Sequence, residues 1–414
     1  IPPRILTTIV IQCDIGWSKY YSERNSYKMN LTGFVPLGRC FHESVLIGTQ
    51  LYFLGGINSD EIFYLDVSLP FDSKKLLWTD LTTNSAIPIN SAFATSCVGG
   101  QNNNFIFLFE HHKKDNDELN NLITYTFDIK SQEWDIPTII NPTQIPPVIQ
   151  GINAACNPNG TMYIFGGYNP KLKKSYNDMY ILDSLNLSWK QYLASLSIIK
   201  PIIRSDYTAT LLPNSIIISL FDTNIGTWTV MTAENNDVII QARRFHTAVL
   251  ISDGLIVIYG GASNNNSKVP SPSLAVLDTK PETYKWYSKQ NIGKNIPPPL
   301  AYHTATLVGD YMIITFGAKF SGEKFDNENN LNTKVYILDT KSFLWVSSTS
   351  QNGSSTTSII PSNSATSSLT NSASSSITPL NPTNSNNPTS TINPNKIKIF
   401  AGLTSTAGVT ILVV

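Results

Sequence analysis

Short apolar runs separated by polar turns recur along most of this chain. The runs are four to seven residues long, rich in β-branched and aromatic residues, and bounded by clusters of Gly, Asn, Asp and Pro, which is the pattern of strands and turns. Between residues 38 and 347 no stretch of ten or more residues has the periodicity of an amphipathic helix. The pattern therefore predicts an all-β fold.

Six tryptophans mark a repeat within this pattern. They follow one another at intervals of 55 to 59 residues, except for one interval of 39 residues between Trp189 and Trp228. Each comes after an Asp that ends an apolar run, as Asp183 does before Trp189. Self-similarity of this kind indicates one supersecondary unit copied along the chain. The six are Trp78, Trp134, Trp189, Trp228, Trp286 and Trp345.

The units share three further elements. The first is a run headed by Arg or His, such as residues 243–250; the second is a run that ends in Gly-Gly, such as residues 256–261. The third is a tyrosine-bearing run that ends in Asp, such as residues 335–339. A glycine pair lets the chain leave a strand with positive φ, and an Asp carboxylate accepts bonds from backbone N–H groups in a turn.

This combination of motifs resembles the kelch repeat, and the resemblance extends over residues 34–347. It implies a β-propeller with one four-stranded blade per repeat, so about six blades formed by residues 34–346. Residues 1–33 are then an N-terminal leader or, since Trp17 imitates the end of a further repeat, a strand that closes the ring.

The fourth unit is short. Residues 216–222 run directly into the Asp–Trp element, and the deficit of about 17 residues matches one glycine turn and one strand. Either this blade has three strands, or the chain is a variant that lost a segment through splicing or a faulty gene model. We favour the second interpretation because a three-stranded blade would expose apolar edges of its neighbours.

The composition changes abruptly after the last repeat. Residues 347–395 are almost entirely Ser, Thr, Asn and Pro, which predicts a disordered linker open to O-glycosylation. Residues 396–414 include 16 consecutive residues without a charge. We expect a membrane anchor there, first a truncated transmembrane helix and second a GPI-anchor signal. The remaining alternative is a last strand that docks on the propeller.

A membrane anchor would place the propeller on the extracellular or lumenal side. Five sequons fit that placement: Asn30, Asn159, Asn186, Asn265 and Asn352. Cys97 and Cys156 both fall in first-strand segments, and we expect them to be unbridged core residues because four cysteines do not make a disulfide scaffold.

The kelch resemblance also raises an enzymatic alternative, since galactose-oxidase-type copper enzymes carry similar repeats. Such enzymes need a copper site of two His, two Tyr and a crosslinked Cys. Here His42, His246 and His303 occupy equivalent strand starts, and His111 and His112 lie in a polar loop. No Cys or carboxylate accompanies all three strand histidines. We therefore expect no metal, no other cofactor and no catalytic residue.

Four arginines are the candidate binding residues. Arg39, Arg204, Arg243 and Arg244 lie beside the first strands and could ring one mouth of the channel, or else brace neighbouring blades. The formal net charge of zero gives no footprint for nucleic acid. We expect a non-enzymatic module that binds a protein or glycan through loops of one face; a cytosolic kelch adaptor is a further alternative. We expect the loops after each second strand to lie opposite the proline-rich blade entries.

Overall fold

The computed structural model describes residues 33–350 and 409–413 with several gaps. The gaps are residues 58, 88–90, 111–120, 194–204, 206, 213–218, 223–226, 231–232, 236–238, 264–266, 281–283 and 326–329. The predicted leader, up to residue 32, and nearly all of the predicted linker lie outside the described residues.

Six sheets follow one another along the chain, and each corresponds to one repeat. The first contains β1 (Glu43–Ile47), β2 (Gln50–Leu54), β3 (Ile62–Asp66) and β4 (Trp78–Asp80). The second contains β5 (Thr95–Gly99), β6 (Phe105–Glu110), β7 (Ile123–Asp128) and β8 (Glu133–Asp135). The third contains β9 (Ala154–Cys156), β10 (Thr161–Phe165), β13 (Met179–Asp183) and β14 (Ser188–Tyr192), with β11 (Tyr168–Asn169) and β12 (Lys174–Ser175) forming a separate pair in a loop.

The remaining sheets come from the second half of the chain. The fourth contains β15 (Thr208–Leu212), β16 (Ser219–Asp222), β17 (Thr227–Val230) and β29 (Val409–Val413). The fifth contains β18 (Glu234–Asn235), β19 (Thr247–Leu250), β20 (Leu255–Tyr259), β21 (Leu274–Asp278) and β22 (Lys285–Lys289). The sixth contains β24 (Thr304–Val308), β25 (Tyr311–Thr315), β27 (Val335–Asp339) and β28 (Leu344–Val346), beside the pair β23 (Leu300–Ala301) and β26 (Ala318–Lys319).

The helical content of the described residues is small. One single-turn helix, α1 (Thr82–Ser85), and two 3₁₀ turns at Gln101–Asn103 and Pro142–Gln144 lie in loops. The all-β prediction is therefore confirmed.

The first strands of the six sheets form a closed ring. The strands β1, β5, β9, β15, β19 and β24 adjoin in that order, and β24 in turn adjoins β1. Successive strands within each blade are antiparallel, so the arrangement is a β-propeller of six blades, as the repeats predict. The apolar core lies between neighbouring blades: one cluster joins Leu54 of the first to Leu108 of the second, and another joins Val257 of the fifth to Ile314 of the sixth.

The repeat residues take the positions expected from their chemistry. Each of the six tryptophans lies on the last strand of its repeat, and an Asp ends each third strand. The Asp278 carboxylate accepts a bond from the Lys280 N–H (3.0 Å), and Asp339 accepts one from Lys341 (2.9 Å). The pair Gly260 and Gly261 has φ of 68° and 93°. A Cβ at Gly260 would lie 2.4 Å from the Leu300 carbonyl oxygen, so the turn excludes any side chain.

The first and sixth blades meet without exchanging a strand. Each of these sheets contains four strands of its own repeat. The joint is made by side chains and by residues 347–350, which the linker prediction had assigned to a disordered segment. The Ser44 and Thr306 hydroxyls are 3.0 Å apart, and the Ser73 N–H donates to the Ser347 carbonyl (2.9 Å). The propeller therefore extends to residue 350.

The fourth blade obtains one strand from the far end of the chain. Its own repeat supplies β15, β16 and β17, and β29 lies between β15 and β16, antiparallel to both. The deficit located in the sequence is thus real, and the vacant place is the second strand. The sheet therefore has four strands and not three, because β29 fills the position, while the loss of a segment through splicing or a faulty gene model stays a prediction.

This placement of β29 differs from the membrane anchor expected for residues 396–414. Of the three alternatives, the structure has the strand that docks on the propeller, because Val409–Val413 pair in the fourth sheet. Residues 396–408 lie outside the described residues. No helix in the described part of the chain is long and apolar enough to cross a membrane.

Candidate functional site

A channel follows the axis of the propeller, because six first strands surround it. Its volume is about 390 Å³, and residues of all six blades line it. Polar and aromatic side chains from the beginning of each first strand face this space. The starts of these strands therefore define the candidate site.

Histidines and threonines join neighbouring blades at the channel wall. His42 Nε2 of the first blade is 2.9 Å from Thr304 Oγ1 of the sixth, and His303 Nε2 of the sixth is 2.8 Å from Thr247 Oγ1 of the fifth. Burial lowers the pKa of His246 and His303 to about 3, so both imidazoles are neutral near pH 7. These histidines are structural elements of the ring.

Among the described residues no group of three or more His, Cys, Asp or Glu could hold a metal ion. The buried histidines His42, His246 and His303 therefore do not form such a group, and His42 and His303 contact threonines of the neighbouring blades instead.

Glu43 is an acidic residue on the channel wall. Its carboxylate accepts bonds from the Ser96 N–H (3.2 Å) and hydroxyl (2.9 Å) of the next blade. Burial, with a smaller contribution from the nearby Glu110 carboxylate, raises the pKa of Glu43 to about 8. The carboxyl is therefore largely protonated at neutral pH and does not supply a fixed negative charge to the channel.

A disulfide joins the second and third blades. Cys97 of β5 and Cys156 of β9 are bonded, with 5.8 Å between their Cα atoms. The expectation that both are unbridged core residues was wrong. Their segments are far apart in sequence, but the propeller places consecutive first strands side by side.

Four aromatic side chains form a continuous arc at the mouth of the channel. Phe245, Tyr302, Phe41 and Phe93 come from the fifth, sixth, first and second blades, which are consecutive around the closed ring. The ring centroids are 4.3 Å apart between Phe245 and Tyr302, 4.3 Å between Tyr302 and Phe41, and 3.8 Å between Phe41 and Phe93. We call this group the aromatic arc. Three of its members are only half-buried, so they present apolar surface to solvent.

The backbone of the aromatic arc is unusual. All four residues have φ between 56° and 67°, a region that non-glycine residues seldom occupy and that costs each of them about 1–2 kcal/mol. A chain of backbone bonds offsets this strain. The Phe93 N–H donates to the Phe41 carbonyl (3.3 Å), Phe41 to Tyr302 (3.2 Å) and Tyr302 to Phe245 (3.1 Å). The blades thus lock one another into the conformation that turns the rings toward the mouth.

The third blade interrupts the aromatic arc. The position equivalent to Phe41 is Gly151, whose φ of 62° matches that of the arc. Because glycine has no side chain, a notch lies beside the arc, with Asn153 and Tyr207 on its wall. The mouth is therefore asymmetric, with an aromatic side and a more open polar side.

The four predicted arginines divide into different roles. Arg39 is 1% exposed; it pairs with Glu61, donates to the Gly55 carbonyl (3.1 Å) and stacks on Phe63 at 4.6 Å. The bracing interpretation therefore holds for Arg39, which is not available to a partner.

Arg243 repeats this arrangement in the fifth blade. It is buried and donates to the carbonyls of Gly260 (3.1 Å) and Gln241 (3.2 Å). Arg244 is half-buried and its guanidinium carbon lies 4.8 Å from the centre of the Phe245 ring. Arg204 lies outside the described residues. Among the described arginines of this set, Arg244 alone lies at the aromatic arc.

The two variable loop sets lie at the same end of the propeller as the aromatic arc. Loops that follow second strands pair with the entries to first strands, as Gln150 pairs with Tyr168 and Arg244 with Ala262. The expectation that the two sets lie at opposite ends was wrong, because an even number of antiparallel strands returns the chain to the end where it began. One face thus carries the arc and both loop sets.

Two of the five sequons lie in described turns. Asn159 and Asn186 are both exposed, but the Asn186 side-chain amide donates to Asp183 (2.7 Å) and the Asn159 side chain accepts from the Thr161 N–H (3.0 Å). Asn159 therefore has its amide nitrogen better placed for a glycan. Asn30, Asn265 and Asn352 lie outside the described residues.

Two family models match this chain. The model described as "Kelch motif" matches residues 153–192, and the model described as "KLHDC2/KLHL20/DRC7 Kelch-repeats domain" matches residues 213–373. These matches place kelch-type repeats within the six-bladed β-propeller.

Relatives of this chain carry the same name in several mammals. This chain is 24% identical over 337 residues to Kelch domain-containing protein 3 of Rattus norvegicus, and the alignment covers 73% of this chain and 84% of the relative. The human protein of that name is 24% identical over 184 residues, which covers 43% of this chain and 45% of the relative.

Two other proteins are more distantly similar. One is N-(sulfonatooxy)prop-2-enimidothioate sulfolyase of Thlaspi arvense, 23% identical over 76% of this chain and 80% of the relative. A solved structure, "Structure of YjhT", aligns with a TM-score of 0.38 at 14% identity, covering 76% of this chain and 84% of that one.

Proposed function

We propose that this propeller is a non-enzymatic recognition module that binds a protein partner at the face carrying the aromatic arc. The observation that supports this most is the strained backbone of Phe41, Phe93, Phe245 and Tyr302. Such strain persists where the surroundings impose it, and it is typical of ligand-binding sites. Here it holds large, half-exposed rings at the mouth of a channel instead of in the core.

The chemistry of the mouth favours an extended peptide that carries an apolar or aromatic residue. Aromatic and Arg side chains dominate the binding energy of protein interfaces, and Arg244 lies directly on Phe245. An apolar side chain of the partner would rest on the arc, while its backbone would follow the notch at Gly151 toward Asn153. The Arg244 guanidinium would pair with an acidic group of the partner.

A displayed library of random linear peptides tests this proposal. We expect wild-type protein to enrich binders whose affinity falls about tenfold or more in Phe93→Ala and Phe245→Ala. Leu185→Ala is the matched control, because this exposed apolar residue lies in the turn at the opposite end of a blade. Binders that respond to Leu185→Ala and not to the arc variants would contradict the proposal, as would a failure to enrich any binder.

We also propose that the propeller resides on the extracellular or lumenal side of a membrane. The Cys97–Cys156 disulfide supports this, because such bonds persist in oxidising compartments. The exposed sequon at Asn159 is consistent with it. Expression in a secretory system should give a glycosidase-sensitive mobility shift that Asn159→Gln reduces; a protein that stays unglycosylated and reduced in its native cell would overturn the placement. Attachment through residues 396–414 stays a prediction, and the pairing of Val409–Val413 competes with it.

A further inference from the structure

The second-strand position of the fourth blade is where the sequence and the fold disagree most. The other five blades build this position from their own repeat, whereas here β29 arrives from the end of the chain. Without it, β15 and β16 would face each other as parallel strands with unpaired backbone groups along both inner edges. Unpaired edges of this kind bind a further strand readily.

β29 occupies the position in the register of a regular second strand. Thr208 pairs with Val413 as Thr247 pairs with Tyr259 in the fifth blade, since both threonines begin their first strands. On the other side, Leu220 pairs with Ile411, and Val276 pairs with Val257.

The two sides give the same alignment independently. Both make Val409–Val413 equivalent to Leu255–Tyr259 of the fifth blade, and both make Asp222 equivalent to Asp278, the residue that ends the third strand. A strand that settled non-specifically between β15 and β16 would have no reason to satisfy both alignments at once.

The sequence of the C-terminus also matches this role. Val409, Thr410, Ile411 and Val413 are β-branched, as suits a strand with neighbours on both sides. Gly408 precedes the run just as Gly254 precedes Leu255 and Gly160 precedes Thr161. The segment therefore carries the sequence of a second strand together with the glycine before it.

We propose that the fourth blade is a strand-acceptor site, which binds an extended, uncharged, β-branched segment and which the chain's own Val409–Val413 fills in cis. Residues 347–408 join this segment to the last blade. A covalent tether raises the effective concentration of the strand to about the millimolar range, so weak backbone pairing suffices to hold it. Binding is by main-chain hydrogen bonds on two edges, as in other cases of strand addition.

Cysteine pairs in the full chain test the pairing directly. Ala209 lies opposite Leu412, and Thr210 lies opposite Ile411. Adjacent pairs alternate between hydrogen-bonded and non-hydrogen-bonded geometry, so one of the two has Cα atoms about 4.5 Å apart, within disulfide range. We expect either A209C/L412C or T210C/I411C to form an intramolecular bond under mild oxidation.

The register provides the control for this experiment. In T210C/V409C the second cysteine is displaced by two residues on the same face, and no efficient crosslink should form. Equal crosslinking of the displaced pair, or no crosslink in either matched pair, would overturn the proposal. A crosslinked dimer would overturn the assignment in cis and indicate a strand exchanged between two copies.

A truncated chain tests whether the site accepts a strand in trans. We expect a chain that ends at Gly408 to bind a synthetic peptide of residues 408–414, and the full chain to bind it at least about tenfold more weakly because its site is occupied. A peptide with Ile411→Pro should not bind, since proline removes a backbone donor. Binding of the proline peptide, or insertion of the uncrosslinked C-terminus into phosphatidylcholine vesicles, would overturn the proposal; if the truncated chain does not fold, the cysteine pairs decide.

Discussion

The fourth and fifth blades have the same four-strand layout but obtain their second strands from different sources. In the fifth blade β20 follows β19 through a short turn, and the glycine pair at Gly260 carries the chain on to β21. In the fourth blade β29 fits the same register without that local connection. The comparison indicates that the edges of the neighbouring strands set the register in a blade. We expect the local connection to decide how firmly a strand is held.

The largest expected effect contrasts matched residues of the two second strands. Ile258 in β20 and Leu412 in β29 occupy equivalent positions in the register. Ile258→Ala should lower the free energy of unfolding by about 2–5 kcal/mol, because Ile258 is buried in the apolar cluster that includes Leu277 and Trp286. The stability lost in Leu412→Ala cannot exceed the free energy with which β29 docks on the fourth blade. Denaturant unfolding measures both changes.

Hydrogen exchange distinguishes the two variants further. We expect Leu412→Ala to accelerate amide exchange mainly in β15 and β16, and Ile258→Ala to accelerate it throughout the propeller. Equal losses of stability with the same exchange pattern would show that the two strands are held alike, contrary to the comparison.

The joints between blades also differ in how firmly they are held, because one of them contains a disulfide. The second and third blades are joined by Cys97–Cys156, whereas the first and sixth are joined by hydrogen bonds such as Ser44 to Thr306. Replacing both cysteines by serine should lower the free energy of unfolding by about 2–4 kcal/mol. Thermal melts with and without reductant measure it. The difference from wild type should largely disappear in reductant, and a difference that persists would mean that packing, not the bond, is responsible.

A smaller effect concerns Glu43, which joins the first blade to Ser96 of the second. Its pKa in the folded protein is raised from 4.5 to about 8, so the folded state holds the proton more tightly than the unfolded state. This residue's contribution to stability is therefore present at low pH and is lost as the pH rises from about 4.5 to about 8.

Glu43→Gln removes this dependence while keeping an oxygen to accept the Ser96 bonds. We expect the variant to be more stable than wild type by about 1–2 kcal/mol at alkaline pH, after discounting for channel solvent, and to differ little at acidic pH. Unfolding midpoints across this pH range provide the measurement. A constant offset between the two proteins would rule out titration of Glu43 as the cause.

The smallest expected effect lies in the turns after the third strands. Asp278→Ala removes the acceptor of the Lys280 N–H and should cost about 0.5–1.5 kcal/mol, because the exposed amide can bond to water instead. Asn in the same position retains a side-chain oxygen and should recover most of the loss in a thermal melt. A variant Asp278→Asn as unstable as the alanine variant would assign the effect to charge.

The propeller and its repeat could be predicted because each repeat position has one dominant physical role. Trp345 packs between blades, Asp339 closes a turn and Gly261 has positive φ, and each of these roles restricts the residue type. The vacancy in the fourth blade was also visible, as a short interval between Trp189 and Trp228.

The occupant of that vacancy was not predictable by hydropathy alone. An uncharged run suits a membrane helix and a strand buried on both faces equally well. The β-branched content of residues 409–413 and the glycine before them were the signals for a strand. They could be used only once the second strands of the other repeats were aligned with the end of the chain.

The disulfide and the aromatic arc depend on which blades are neighbours. Cys97 and Cys156 come close because consecutive first strands pack side by side, which spacing in sequence does not reveal. Phe41, Phe245 and Tyr302 do share a repeat position, directly before His42, His246 and His303. This shared position was a signal for the aromatic arc. The binding site was instead predicted at the neighbouring arginines, because they carry charge.

The position of β29 has a consequence for biosynthesis. A ribosome makes the fourth blade's three local strands before the fifth and sixth blades, but it makes the strand that lies between β15 and β16 only after the sixth blade. The order of synthesis and the order of assembly therefore differ. The fourth blade cannot be completed before Val409–Val413 have been synthesised, so a nascent chain carries an incomplete blade after the fifth and sixth blades have been made.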